Sequence, residues 1–255
     1  EYGEINDWNV GRITDMSNLF FRKNSFDSNI SNWDVSNVTS MERMFVGASA
    51  FNQPIGNWNV SSVTDMRGMF GGSAFNQPIG NWNVSSVTNM DNMFGSAFNQ
   101  PLNNWDVSSV NSMRQMFNNA YVFNQPIGNW NVSNVTDMYN MFYNATSFNQ
   151  PIGNWDVSNV TDMGRMFSEA TSFSQSLENW DVSNVNSMFF MFSASLFNQD
   201  IGNWNVSSVT NMQGMFESAT IFNQDLGTWN VNKVTRYRDF STNTPSWILP
   251  KPNFV

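Results

Sequence analysis

The sequence predicts an α/β solenoid, with a parallel sheet on one face and short helices on the other. One observation behind this is a tryptophan that returns every 23 to 25 residues, within nearly identical flanking sequence. Another is that the spacing changes only in a short link between two phenylalanines, which are six residues apart at Phe45–Phe51 and four apart at Phe94–Phe98. Repeats of this length are typical of stacked architectures, in which each unit buries its apolar face against its neighbours.

The repeat defines the domain organisation. We expect one repeat domain over residues 1–255, of about ten coils between Trp8 and Trp229, with residues 236–255 as a C-terminal cap or the start of a linker. The repeated tryptophans are Trp8, Trp33, Trp58, Trp82, Trp105, Trp130, Trp155, Trp180, Trp204 and Trp229.

Each unit contains two apolar patterns. Ile55, Trp58 and Val60 form an I-x-x-W-x-V pattern whose last part alternates, as in a short strand. Val63, Met66, Met69, Phe70 and Ala74 follow at helix-like intervals, and Thr64 is a suitable N-cap for that helix. The prediction is therefore strand, tight turn, short helix and extended return in every coil.

Composition excludes several classes of function. The net charge is −9, so the chain lacks the basic surface that nucleic acids require, and we expect no nucleic-acid partner. The sequence has no Cys and no His, which removes thiolate metal sites and the commonest general base. No apolar run approaches the roughly 18 residues of a transmembrane helix, so we expect no membrane insertion. We predict no enzyme activity and no cofactor.

The unit W-[ND]-V-[SN]-x-V-T-x-M-x-x-M-F-x-x-A-x-x-F-N-Q resembles the repeat of BspA-like bacterial surface proteins, over about residues 5 to 240. The resemblance implies a leucine-rich-repeat-like, right-handed superhelix. It also implies a secreted or surface-exposed location, a role in adhesion, and membership of a larger surface assembly. It supplies no catalytic residues.

Two sets of residues are candidates for ligand binding. The polar positions that flank Trp form a regular outward row, which suits a repetitive polar ligand such as a glycan. The alternative is that the row only bonds coil to coil. The candidates in this row are Asn57, Asn59, Asn81, Asn83, Asn129, Asn131, Asn154, Asp156 and Asp181.

The second set is aromatic. Phe189 and Phe190 occupy the variable middle of M-x-x-M, which we expect to face solvent, with Tyr139, Tyr143, Tyr121 and Ile221 on the same side. An exposed aromatic patch here would favour a surface-protein partner, and partial burial of the pair is the alternative. The acidic residues after Trp are too sparse for a Ca²⁺ ligand set, so no metal site is predicted.

Together these patterns predict an extracellular or cell-surface module for adhesion or for binding a glycan or protein. The alternative is a purely structural stalk or spacer within a larger surface protein.

Overall fold

The computed structural model describes residues 3–254, and regular secondary structure is nearly absent from them. One helix is present, a 3-10 helix at Ile5–Asp7. The β-pairing between neighbouring repeats consists of isolated parallel bridges one residue wide, and no strand forms in the described range. The predicted α/β solenoid, with its parallel sheet and helices, is therefore wrong. The bridged residues are Asp15, Ser40, Asp65, Asn89, Ser112, Asp137, Asp162, Ser187, Asn211 and Arg236.

Tight turns carry the chain around each repeat. The amide of Trp58 donates to the carbonyl of Ile55 at 3.1 Å, and the amide of Val63 donates to that of Val60 at 2.9 Å. The residues that were predicted as a strand therefore lie between two corners. Alternation of buried and exposed side chains at Trp58 and Val60 reflects this short connection and not a paired strand.

The predicted helix is replaced by a segment that we call the ribbon, residues 65–72 and their equivalents in other repeats. Within it the amides of Met69 and Gly71 donate to the carbonyls of Met66 and Gly68, both at 3.1 Å. The amides between these donate to carbonyls of the next repeat, as that of Gly68 does to the carbonyl of Asp91 at 2.7 Å. Two ribbon amides, those of Met69 and Gly71, thus close turns, and three, those of Met66, Gly68 and Phe70, bond to the next repeat.

Left-handed backbone angles explain why the ribbon cannot be helical. Gly68 and Gly72 both have φ of +66°, and an α-helix requires negative φ throughout. Corners three residues apart place Val63, Met66 and Met69 on the inside at intervals that imitate a helical period. Most of the equivalent positive-φ positions carry side chains: Asn18, Arg22, Arg43, Asn92, Gln115, Asn119, Asn140, Asn144, Arg165, Glu169, Phe190, Ala194, Ser218, Asp239 and Asn243.

Ladders of stacked aromatic rings form the core. Phe45 stacks on Phe51 of its own repeat with ring centroids 3.9 Å apart, and on Phe70 of the next repeat at 5.7 Å. Tryptophan connects repeats through hydrogen bonds, since Nε1 of Trp130 donates to the carbonyl of Leu102 at 3.1 Å. Offset stacking of this kind adds about 0.5–1.5 kcal/mol per pair to the burial of the rings.

The described part of the tail packs on the last repeats. Trp247 is 5% exposed and meets Phe216 and Phe222 edge-on, with ring centroids 5.2 and 4.7 Å apart. The amide of Leu226 donates to the carbonyl of Pro250 at 2.9 Å. The indole of Trp247 is therefore roughly perpendicular to the stacked phenylalanine rings and ends their ladders. A ring parallel to them would have continued the stack.

Candidate functional site

An asparagine ladder bonds the repeats together at a position that the sequence analysis did not select. It is the Asn of each F-N-Q. Oδ1 of Asn76 accepts the amide of Asn99 at 2.9 Å, and Oδ1 of Asn99 accepts the amide of Asn124 at 3.0 Å. The following glutamine adds a second bond, because Nε2 of Gln125 donates to Asn99 at 3.0 Å. The near-invariance of F-N-Q was the available signal for this structural role.

Two further polar rows are also structural. Oγ1 of Thr64 donates to the carbonyl of Thr39 in the previous repeat at 3.2 Å, so Thr64 is not the helix N-cap that was predicted. Nδ2 of Asn134 donates in the same way to the carbonyl of Ser108 at 2.7 Å. The carbonyl of Thr39 also accepts the backbone amide of Thr64 at 2.8 Å, so the threonine hydroxyl adds a second bond to it. The carbonyl of Ser108 has Asn134 as its one donor among the described residues.

The predicted row after Trp caps turns inside its own repeat. Oδ1 of Asn131 accepts the amide of Ser133 at 3.2 Å, and Oδ1 of Asp156 accepts that of Ser158 at 3.1 Å. A hydrogen bond from Ser183 lowers the pKa of Asp181 in the same motif. All five candidates here, Asn59, Asn83, Asn131, Asp156 and Asp181, are exposed and form this turn.

The predicted row before Trp has freer side chains. Asn57, Asn81, Asn129 and Asn154 are all exposed. Among the described residues, the side chains of Asn57, Asn81 and Asn154 form no hydrogen bond, whereas Nδ2 of Asn129 donates to the carbonyl of Asn103 at 2.7 Å. These amides are therefore the members of the predicted row with unused donors and acceptors.

Asn57 and Asn81 line a groove that crosses three repeats, with a volume of about 380 Å³. We call it the proline–asparagine groove. Its lining residues are Pro54, Gly56, Asn57, Pro78, Gly80, Asn81, Pro101, Asn103 and Asn104. A shorter groove of about 210 Å³ continues this face at Pro151, Gly153, Asn154, Gln175, Ser176 and Asn179.

The glycines of this face allow close stacking. A Cβ at Gly56 would lie 2.4 Å from the carbonyl oxygen of Pro78, and one at Gly128 would lie 2.2 Å from that of Pro151. Such contacts with backbone cannot be relieved by rotating a side chain. Glycine therefore lets the carbonyl of the next repeat's proline lie directly against the turn.

Phe189 and Phe190 are half-buried around an arginine. Their ring centroids are 4.5 Å apart, and the guanidinium carbon of Arg165 lies 5.3 Å from each. Phe190 also covers Gly214, where a Cβ would meet the ring at 2.6 Å. The pair is thus packed between two neighbouring repeats. Tyr121 and Ile221, predicted to lie beside it, are 44% and 43% exposed.

The ribbon also contains charged groups, and it is less uniformly exposed than predicted. Asn140, in the middle of M-x-x-M, is only 8% exposed, and its Oδ1 has no hydrogen-bond partner. Burial raises the pKa of both Asp91 and Asp162. Nη1 of Arg114 pairs with Asp137 at 2.8 Å. Within residues 3–254, no three acidic side chains are grouped so that they could hold a metal ion.

Comparison with known proteins identifies a different family from the BspA-like one that was predicted. The sequence model of the family described as "Mycoplasma protein of unknown function, DUF285" matches residues 1–99, 73–178 and 150–247. The BspA-like assignment is therefore corrected to this family. No curated protein matches the chain. No helix in the described residues is both long enough and apolar enough to cross a bilayer.

Proposed function

Since the chain belongs to this Mycoplasma family of unknown function, we propose a role from its own surface: an extracellular or cell-surface module that adheres to an uncharged, repetitive glycan. The chain is a repeat module, and the proline–asparagine groove is the part of it that supports binding. The observation that carries this proposal is that the groove presents equivalent Asn side chains from successive repeats, two of which form no hydrogen bond with the described residues.

The chemistry of the groove favours sugar hydroxyls. An asparagine amide offers two N–H donors and a carbonyl acceptor, which complement hydroxyl groups without attracting a charge. The proline rings of Pro54, Pro78 and Pro101 supply apolar area between the amides. A ligand that itself repeats gains avidity from several weak contacts, so no single deep pocket is needed.

The proposed role is non-catalytic. The sequence provides no His or Cys for acid–base or nucleophilic chemistry. Burial raises the pKa of Asp91 and of Asp162, the direction that favours an acid catalyst, but the two residues belong to repeats three units apart. Paired carboxyl groups in glycosidases lie within about 5–10 Å of each other.

The test uses an array of uncharged oligosaccharides of glucose, galactose and N-acetylglucosamine. The double variant Asn57→Ala/Asn81→Ala is expected to bind at least tenfold more weakly than the parent, because two unused amides are lost from one groove. The matched control is Asn111→Ala/Asn186→Ala, since both residues are exposed outside the groove and their side chains form no hydrogen bonds within residues 3–254.

Equal weakening by both double variants would contradict the assignment of the groove. A stalk is the second candidate, favoured by the uniform hydrogen bonding that connects every repeat to the next. If the parent chain binds no glycan on the array, the stalk becomes the better description.

A further inference from the structure

Glycines open a depression in the ribbon of the second to fifth repeats. Gly68, Gly71 and Gly72 stand where a later repeat carries Asn140, Tyr143 and Asn144, so side chains that cover the ribbon elsewhere are missing. Two adjoining cavities result, of about 440 and 270 Å³, which share Asn92 as a lining residue. We call them together the glycine depression. It lies about half a repeat along the chain from the proline–asparagine groove.

One arginine gives the glycine depression a local positive charge. Arg67 and Glu42 both line the larger cavity and pair at 2.5 Å, so their charges offset each other. Arg43 lines the same cavity and pairs with no carboxylate among the described residues; its guanidinium lies 4.7 Å from the ring centroid of Phe21. Arg43 is therefore the one charged residue in the lining of the larger cavity without an oppositely charged partner among the described residues. The chain is acidic overall, but salt screens exposed charges beyond about 8 Å at physiological ionic strength.

Amides complete the lining. Asn92 and Gln115 extend from left-handed backbone with φ of 51° and 57°, and neither side chain forms a hydrogen bond within the described residues. Both side chains line the same cavity as Arg43 and offer hydrogen-bond donors and acceptors there. The larger cavity contains a single aliphatic side chain, that of Val46, and so lacks the apolar anchors on which peptide docking depends.

We propose that the glycine depression binds an acidic saccharide. Arg43 receives the carboxylate or sulfate group, and Asn92 and Gln115 bond the ring hydroxyls. The volume of the larger cavity lies in the range typical of small-molecule sites, about 300–1,000 Å³. This site differs from the proline–asparagine groove in location and in the charge of its ligand, so either can exist without the other.

The test is titration calorimetry with three probes: a disaccharide that contains one uronic acid, its sulfated counterpart, and the methyl ester of the uronic acid. Arg43→Gln is expected to reduce affinity for both acidic probes about tenfold or more, since it removes a charge-assisted hydrogen bond to the acidic group. Arg236→Gln is the control, because it makes the same change of charge at an exposed position in the last repeat.

A second variant changes no charge. Gly68→Asn is expected to weaken both acidic probes, because it fills the larger cavity and its Cβ would lie 3.1 Å from Cγ of Arg43 and shift that side chain. The backbone tolerates the change because Asn92 and Asn140 hold similar left-handed angles. A melting curve for each variant confirms that it is folded. The proposal is overturned if the parent binds neither acidic probe more tightly than about 1 mM, or if the methyl ester binds as well. It is also overturned if an oligoglutamate peptide binds more tightly, or if Arg43→Gln and Arg236→Gln have equal effects.

Discussion

The interior rows and the ribbon belong to the same repeats but tolerate substitution very differently. Met66 and Met69 are fully buried, and their equivalents are methionine in nearly every repeat. The two residues between them change freely, from Glu42-Arg43 to Phe189-Phe190. The ribbon is held by hydrogen bonds between backbone atoms, which side chains as different as those of Arg43 and Phe190 permit. Sequence is therefore fixed where side chains fill space, and variable where the backbone alone makes the contacts.

The largest expected effect is the loss of an interior tryptophan. Trp130→Ala should lower the free energy of unfolding by about 3–5 kcal/mol, because it removes a buried indole together with its hydrogen bond to Leu102. Asn140→Gly should be neutral or slightly stabilising, since it relieves φ of +58° and removes the unpartnered Oδ1. Chemical denaturation compares the two. Similar losses for both would show that the ribbon is as constrained as the core.

A second prediction concerns the glycine against the proline carbonyl. Gly128→Ala should cost about 1–3 kcal/mol, because its Cβ would overlap the carbonyl oxygen of Pro151 and the backbone must move. Asn103 occupies the equivalent position in another repeat, so that position already accommodates a Cβ. Asn103→Ala should therefore lower the free energy of unfolding by less than about 0.5 kcal/mol. Melting temperatures measure the difference, and an unaffected Gly128 variant would show that stacking there is loose.

The asparagine ladder allows a third test. Asn99→Ala should cost about 1–3 kcal/mol, because it leaves the amide of Asn124 and the Nε2 of Gln125 without their acceptor. Asn57→Ala, on the unbonded row, should change stability by less than about 0.5 kcal/mol. Denaturation of both variants separates the structural asparagines from those free to bind ligand. Comparable losses would mean that the two rows have the same role.

The smallest predicted effect depends on pH. Burial raises the pKa of Asp91 above its ordinary value of 3.8, so the folded state holds this proton more tightly than the unfolded state. The contribution of protonated Asp91 to the free energy of unfolding is then fully present below pH 3.8, and it is lost as pH rises through the raised pKa. Asp91→Asn should consequently gain stability relative to the parent at pH 7 but not at pH 3. A difference in melting temperature that does not vary with pH would contradict this.

The sequence predicted the composition of the core but not the path of the backbone. Trp58, Val60, Val63, Met66, Met69 and Phe70 are all buried, as their repetition indicated. The helix prediction was wrong because turns three residues apart bury apolar side chains at nearly the same spacing as an α-helix does. The position of Gly68 has positive φ in other repeats as well, where it is occupied by Arg43 or Phe190. Neither residue type indicates a left-handed backbone, so the sequence could not predict it. The depression could not be found either, since its glycines matter only once neighbouring ribbons are aligned.

Local bonding has a mechanical consequence. Among the described residues, no hydrogen bond connects positions more than 28 apart in the chain, so each repeat is joined only to its neighbours. Under tension applied at its ends, such a chain should yield repeat by repeat, each step releasing about 85 Å of extended polypeptide. The chain would thus lengthen under load in a series of similar unfolding steps, and each repeat could refold separately when the tension falls.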